Sequence, residues 1–272
     1  RFLAKAGVEV IEVDRPNRQA RRTRGKSDSA DAVEAARAVL SGRAAGAPKS
    51  RDGEVEAIRA LLVAKRSANH ARSRALAQMR QLSYTGPDQL RSRFKGLSIT
   101  DLVAQAAALR PRASGDPVLY ATKVSLAALG RRVLALADEM TDLDELLTDL
   151  VTHCAPQMLD LYGVGVDTAA TLLVTAGDNP ERLRSEAAWA HLCGVAPIEA
   201  SSGKVTRHRL DRGGDRDANQ ALWRIVMTRL AWDPRTRAYL ERRTKEGLSK
   251  REVIRVLKRY VAREVFKYLP RG

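Results

Sequence analysis

Two aspartates stand three apart in "GKSDSADAVEAARAVLSG", directly behind a basic, glycine-containing run. Residues at that spacing on a helix share a face, so Asp28 and Asp31 project from one first turn toward one point. Two readings stand. In one they serve the helix itself, with Ser27 or Asp28 as the N-cap and Asp31 favoured by the positive end of the helix dipole. In the other they are ligands of a divalent metal, which needs further carboxylates from elsewhere and a negatively charged substrate nearby.

A second set lies in "APIEASSGKVTRHRLDRGGDRDANQALW", residues 196–223, the least periodic part of the C-terminal half. Ser201 and Ser202 precede Gly203, and Lys204, Arg207, His208, Arg209, Arg212 and Arg216 follow. A serine on a flexible basic loop suits a nucleophile or a phosphate contact, because a neighbouring cation lowers the cost of an alkoxide and holds a phosphate in line. The plain alternative is a surface turn with hydroxyl caps. The third stretch, "LYGVGVDTAATLL" at 161–173, fits helix, tight Gly-x-Gly turn, helix. Its glycines Gly163 and Gly165, with Thr168 in the next turn, would aim backbone amides at a phosphate as in helix-hairpin-helix DNA binders, or would simply connect two helices.

The chain around these residues has 272 positions and is 44% hydrophobic, enough to bury a core. Its 48 Lys and Arg against 32 Asp and Glu leave a net charge of +16, which favours a polyanionic partner, nucleic acid first. No apolar run approaches the roughly 18 to 20 residues that span a bilayer, so no membrane partner is expected. The two cysteines, Cys154 and Cys193, form no CxxC pair and point to a reducing compartment, the cytoplasm. His153 beside Cys154 and His191 near Cys193 lack zinc-ligand spacing and read as core residues. "RFLAKAG" has no initiating methionine and reads like the end of a helix already under way, an expectation of N-terminal truncation.

The positioning elements follow from periodicity. "VEVIEV" at 8–13 reads as a strand after the Gly7 helix stop, so residues 1–42 run helix, strand, basic loop, helix, a piece of an α/β sheet protein. Apolar or small positions at Val55, Ile58, Leu62, Ala68, Leu76 and Met79 make a long helix, followed by a Gly/Pro-containing break from Tyr84 to Pro117. Leu126, Leu129, Val133, Leu136, Met140, Leu143, Leu147 and Leu150 then alternate steps of three and four, a heptad seam. Its partner is either a second copy of the chain or the helix of 54–82 in an antiparallel hairpin. A last helix from Lys250 to Leu269 sets Arg251, Arg255, Arg259, Arg263 and Lys267 opposite Val253, Leu257, Val261 and Val265, a stripe that is either solvated or phosphate-facing.

The order of these parts resembles the IS-one-ten family of bacterial insertion-sequence transposases, relatives of the Piv DNA invertases. The resemblance is carried by "GKSDSADAVEAARAVLSG", the long connector, "GVGVDTAATLL", "CGVAPIEASSGK", "RGGDRDANQALW" and "LKRYVAREVFKYL". It implies a mainly α chain with a small α/β remnant in three domains: a partial RuvC-like (RNase H-like) nuclease domain at 1–50, a helical coiled-coil connector at 51–155, and a helical C-terminal transposase domain at 156–272 with a helix-hairpin-helix-like motif. It further implies that Asp28 and Asp31 are the last two acids of an Asp-Glu-Asp-Asp site for Mg2+, whose first two acids would precede residue 1. Ser202 matches the family's nucleophile, with Ser201 the fallback. The partners implied are DNA, an element-encoded guide RNA and further copies of the chain in a nucleoid-associated complex. DNA contacts then fall to Gly163, Gly165, Thr168, Lys204, Arg207, Arg209, Arg212, Arg255, Arg259 and Arg263. The alternative is a non-catalytic nucleic-acid- or junction-binding remnant of such an element; a basic coiled-coil scaffold would leave the serine loop without purpose.

Overall fold

The computed structural model describes residues 2–13, 27–112, 115–179, 182–203 and 208–270. The fold is helical because the long apolar periods are close to 3.6 and most helices open on a side-chain cap. After α1 (Phe2–Lys5), Ser27 starts α2 (Asp28–Leu40) by accepting from the Ala30 amide at 3.2 Å. The serine, not Asp28, is therefore the N-cap. Two long helices follow, α3 (Glu54–Thr85) and α6 (Pro117–Cys154), separated by α4 (Asp88–Phe94) and α5 (Ile99–Ala107). Then come α7 (Pro156–Leu159), α8 (Val166–Ala176) and α9 (Glu186–Leu192), a hairpin of β1 (Ile198–Glu199) and β2 (His208–Arg209), and α10 (Arg216–Trp232), α11 (Pro234–Lys245) and α12 (Lys250–Phe266).

The expected strand at 8–13 is not formed. Glu12 makes one isolated antiparallel bridge with Gly46, while Val8 and Val10 stay exposed, because among the described residues no neighbouring strand covers them. The segment between Tyr84 and Pro117 also differs from the expected break. Its apolar residues form α4 and α5, and Leu90, Phe94, Leu102, Val103 and Ala106 are buried.

The chain divides into two units, Ala60–Leu150 and a second one made of Arg1–Arg59 with Val151–Gly272. In the first, Ala75 and Met79 of α3 share a core with Leu126, Ala127 and Val133 of α6 and the apolar faces of α4 and α5. Lys65, earlier on α3, forms an ion pair with Asp144, later on α6. Contacts that run in opposite chain order make the two helices antiparallel. The heptad seam is thus occupied from within the chain: Leu126, Val133 and Leu147 are buried, and its other members are partly so. Gly130 permits the approach of α6 to α5, since a Cβ there would lie 2.6 Å from the Ala107 nitrogen.

In the second unit α10 is the central helix, packed against α8, α11 and α12. Trp189 of α9 is fully buried, and its indole nitrogen donates to the Ala262 carbonyl of α12 at 3.1 Å. The stretch before α3 is strapped to the end of α8. Lys49 Nζ donates to the Val174 carbonyl at 2.7 Å, Asn179 Nδ2 to the Pro48 carbonyl at 2.9 Å, and the Val55 amide to Asp178 Oδ1 at 2.8 Å.

Candidate nucleic-acid interface

The serine pair sits between two short strands. Ile198 pairs with Arg209 and Glu199 with His208, so the expected flexible loop is in part a β-hairpin, and α10 begins inside the stretch expected to be aperiodic. Ser201, Ser202 and Gly203 are exposed, with Gly203 at φ +56°, a left-handed conformation that favours glycine. Lys204 and Arg207 lie outside the described residues. Arg209, Arg212 and Arg216 are exposed along the strand that leaves the hairpin and enters α10.

Beneath this exposed tip the backbone is tightly fixed. Asp211 is 7% exposed; its Oδ1 accepts from the Gly213 amide at 2.9 Å and its Oδ2 lies 3.3 Å from His191 Nδ1. Gly194 and Gly214 meet backbone to backbone, and a Cβ on Gly214 would collide with Gly194. The Asp215 amide donates to the Leu192 carbonyl at 2.6 Å, and the Asp215 side chain then caps α10 through the Asp217 and Ala218 amides. Asn219 Nδ2 donates to the Cys193 and Gly194 carbonyls at 3.0 and 2.9 Å, and Lys258 Nζ donates to Asn219 Oδ1 at 2.7 Å. Lys258 is buried, and burial, with Arg255 as a second cause, pulls its ammonium below the usual lysine range. Asp211, Asn219 and Lys258 were not singled out from sequence. The Asp-Arg-Gly-Gly step was the available signal for the first, whereas a lysine on the apolar face of a basic helix gives none.

The Gly163–Gly165 turn is built differently. Gly163 has φ +79°, and a Cβ there would lie 3.4 Å from both the Ile225 carbonyl oxygen and the Arg229 side chain. Arg229 Nε donates to the Tyr162 carbonyl at 2.8 Å. The Gly165 amide donates to Thr168 Oγ1 at 3.0 Å, and that hydroxyl donates back to the Gly165 carbonyl, so Thr168, which is buried, is engaged in capping α8. Gly165 itself is exposed with open space where a Cβ would stand.

The terminal stripe is not uniform either. Arg259 forms an ion pair with Glu186 of α9, and Arg263 Nε lies 3.6 Å from the same carboxylate. Arg255 is exposed and makes its side-chain hydrogen bond to the Arg251 carbonyl. Opposite them Val253, Leu257, Val261 and Val265 are buried as their spacing predicts.

Residues 156–241 match the transposase family described as IS116/IS110/IS902. Over this segment the chain is similar to that transposase family. It is 32% identical over 119 residues to the insertion element IS110 uncharacterized 43.6 kDa protein of Streptomyces coelicolor, covering 43% of this chain and 29% of that protein. It is 28% identical over 200 residues to the insertion element IS900 uncharacterized 42 kDa protein of Mycobacterium paratuberculosis, covering 67% of this chain and 49% of that protein. The chain spans about half or less of the length of these relatives.

The segment that matches the family model holds the Gly163 and Gly203 turns, the serine hairpin and all of α10. Asp28, on the first turn of α2, is exposed, and Asp31 is half-buried. Among the described residues no group of three or more His, Cys, Asp or Glu could hold a metal ion. Asp28 and Asp31 offer two carboxylates from one helical turn, and a two-metal site draws further ligands from other elements. Of the residues expected in the core, Cys193 is buried, but His153 and His191 have exposed side chains tied to Glu54 and Asp211 respectively. Cys154 donates its S–H to Glu54 Oε2 at 2.9 Å, and burial first, then that carboxylate, pushes the thiol up to about 12. No helix among the described residues is long and apolar enough to cross a membrane.

Proposed function

We propose that this chain is the DNA-joining part of an insertion-sequence transposase, in which Ser202 acts as the nucleophile on DNA phosphodiesters. The observation that carries the reading is the contrast within one short hairpin: an exposed hydroxyl pair at the tip, on a base fixed by Asp211, Gly194, Gly214 and Asn219. A nucleophile needs access to a bulky substrate and a defined direction of attack, and an exposed hydroxyl above a fixed base favours both. In the step proposed, the Ser202 oxygen forms a bond to phosphorus as its proton passes to solvent or a base. The bond from phosphorus to the leaving sugar oxygen breaks, and that oxygen takes up a proton. Attack by an incoming sugar hydroxyl on the phosphoserine reverses the exchange and restores the serine. Arg209 and Arg212 would neutralise the phosphates on either side.

Asp28 and Asp31 belong to this reading as two ligands of a magnesium site only in a longer protein that brings further carboxylates. DNA, an element-encoded guide RNA and further copies of the chain are the partners proposed, with the bacterial cytoplasm as the compartment. The net charge of +16 supports a nucleic-acid partner, since each phosphate neutralised releases counterion.

The test is strand transfer by a protein of the relatives' full length on the ends of its own element. Ser202→Ala should abolish transfer and leave DNA binding within about twofold, while Ser201→Ala should be much milder. Full transfer by Ser202→Ala, with loss in Ser201→Ala, moves the role by one residue. Full transfer by both removes it from the hairpin. The second reading, a non-catalytic junction binder, predicts binding without transfer in every variant, the parent included.

A further inference from the structure

From the face of α10 that leads away from the serine hairpin, we infer a stacking site for an unpaired nucleobase, with Trp223 as the platform. This rests on the reading of the chain as a DNA-acting protein and deepens it. Trp223 is 43% exposed mid-way along a helix in which its neighbours Leu222, Ile225 and Val226 are fully buried. On the same face stand Gln220 one turn back and Arg216 two turns back, and Arg224 follows the indole about a third of a turn round the helix; all three are exposed. Neither arginine has an ion-pair partner among the described residues. The helix's single carboxylate, Asp217, lies on the flank of this face in the first turn. Arg216 stands about 10 Å back along the axis from the indole, and Arg224 lies directly beside it.

That pattern is what a single strand requires and a duplex cannot use. A π-face meets one base while cations on either side meet the phosphates next to it. In an intact duplex every base face is already covered by its neighbours, so only an opened or extruded base reaches the indole. The location supports the same occupant. Arg209, Arg212 and Arg216 run without interruption from the serine hairpin into α10, so a strand held at the hairpin can follow the chain onto this face. Residues 151–272 carry 22 Lys and Arg against 14 Asp and Glu, a net of +8, which favours a polyanion over a protein partner of ordinary charge. Further along, α10 also backs the Gly163 turn, which leaves Arg224 on the side between the indole face and that turn.

The experiment titrates the 272-residue chain with fluorescein-labelled oligothymidylate, oligouridylate of the same length and a blunt DNA duplex, reading anisotropy at fixed salt. For Trp223→Ala we expect about a tenfold or greater loss of affinity for the single strand, within the range of one lost stacking contact. Duplex affinity should stay unchanged, read at a temperature where the melt shows the variant folded. Trp223→Phe should recover most of the loss, since a smaller ring still stacks. Preference for the thymidylate assigns the site to opened DNA, and preference for the uridylate to RNA; either supports the stacking platform. Equal single-strand binding by parent and Trp223→Ala overturns it while leaving the functional reading intact. Equal loss on duplex and single strand, or loss of self-association alone, also overturns it. A parent chain that binds none of the three probes overturns both.

Discussion

The positive-φ glycine turns at Gly163 and Gly203 differ in what surrounds them. At Gly163 the turn is pressed against α10, its carbonyl neighbour is held by Arg229, and the hydroxyl that follows it closes the cap of α8. At Gly203 nothing among the described residues stands within 4 Å of where a Cβ would be, and the serines beside it are exposed. A left-handed glycine therefore marks two opposite things in one domain: a place where packing leaves no room for a side chain, and a place where a bend must be made in the open. The surroundings, not the glycine, separate scaffold from working part.

The largest effect that sharpens this contrast is expected beneath the serine tip. Gly214→Val should destabilise the unit by about 3 kcal/mol or more, because its side chain has to displace the Gly194 backbone rather than a movable side-chain end. A thermal melt within a degree or two of the parent would remove the rigid base from the account. Next, Gly163→Ala should cost about 1–2 kcal/mol, the ordinary penalty of a left-handed alanine with crowding from Arg229 added. Gly203→Ala carries the same backbone penalty, but an exposed tip can open without unfolding its domain, so its melting midpoint should move less. Equal shifts for the two glycines would break the comparison.

A smaller pair of effects separates the arginines of α12. Arg259→Ala should lower stability by about 1 kcal/mol by leaving Glu186 without its closest cation, in a site that water partly screens. Arg255→Ala should leave the melt alone and reduce the slope of log K against log salt by about 0.9 for duplex DNA, provided that this arginine meets one phosphate. The smallest expected effect is on pH. Lys258 has a lowered folded value, so between that value and the unfolded one near 10.4 the unfolded chain binds more protons, and its contribution to stability rises with pH. Lys258→Met should remove that rise, read as the difference between the two variants' stability curves.

The helices were legible because burial repeats with the helical period: Val253, Leu257, Val261 and Val265 face the interior as spaced, and the heptad positions of α6 are covered. What covers that seam was not legible, since a heptad pattern is satisfied equally by a second copy or by α3. The strand at 8–13 was misread because alternation specifies an extended conformation only where a neighbouring strand exists to pair with it. The serine hairpin was half legible. Residue types marked Ser202 and its cations, but Asp211, Asn219 and Lys258 are brought together by packing between α9, α10 and α12, over separations no local pattern encodes. The arginine stripe likewise reads as uniform in sequence, and only the position of Glu186 divides it.

The most direct test of the claim that the exposed tip reacts while the packed turn holds is to trap the protein–DNA intermediate and map its linkage. A protein of the relatives' full length would be incubated with a nicked element-end substrate whose released strand cannot return, then digested and sequenced by mass spectrometry. The account predicts a nucleotide phosphate esterified to Ser202, lost in Ser202→Ala and retained in Gly163→Ala at a temperature where that variant is folded. An adduct on any residue outside the hairpin, or complete strand transfer with no covalent intermediate, would contradict it.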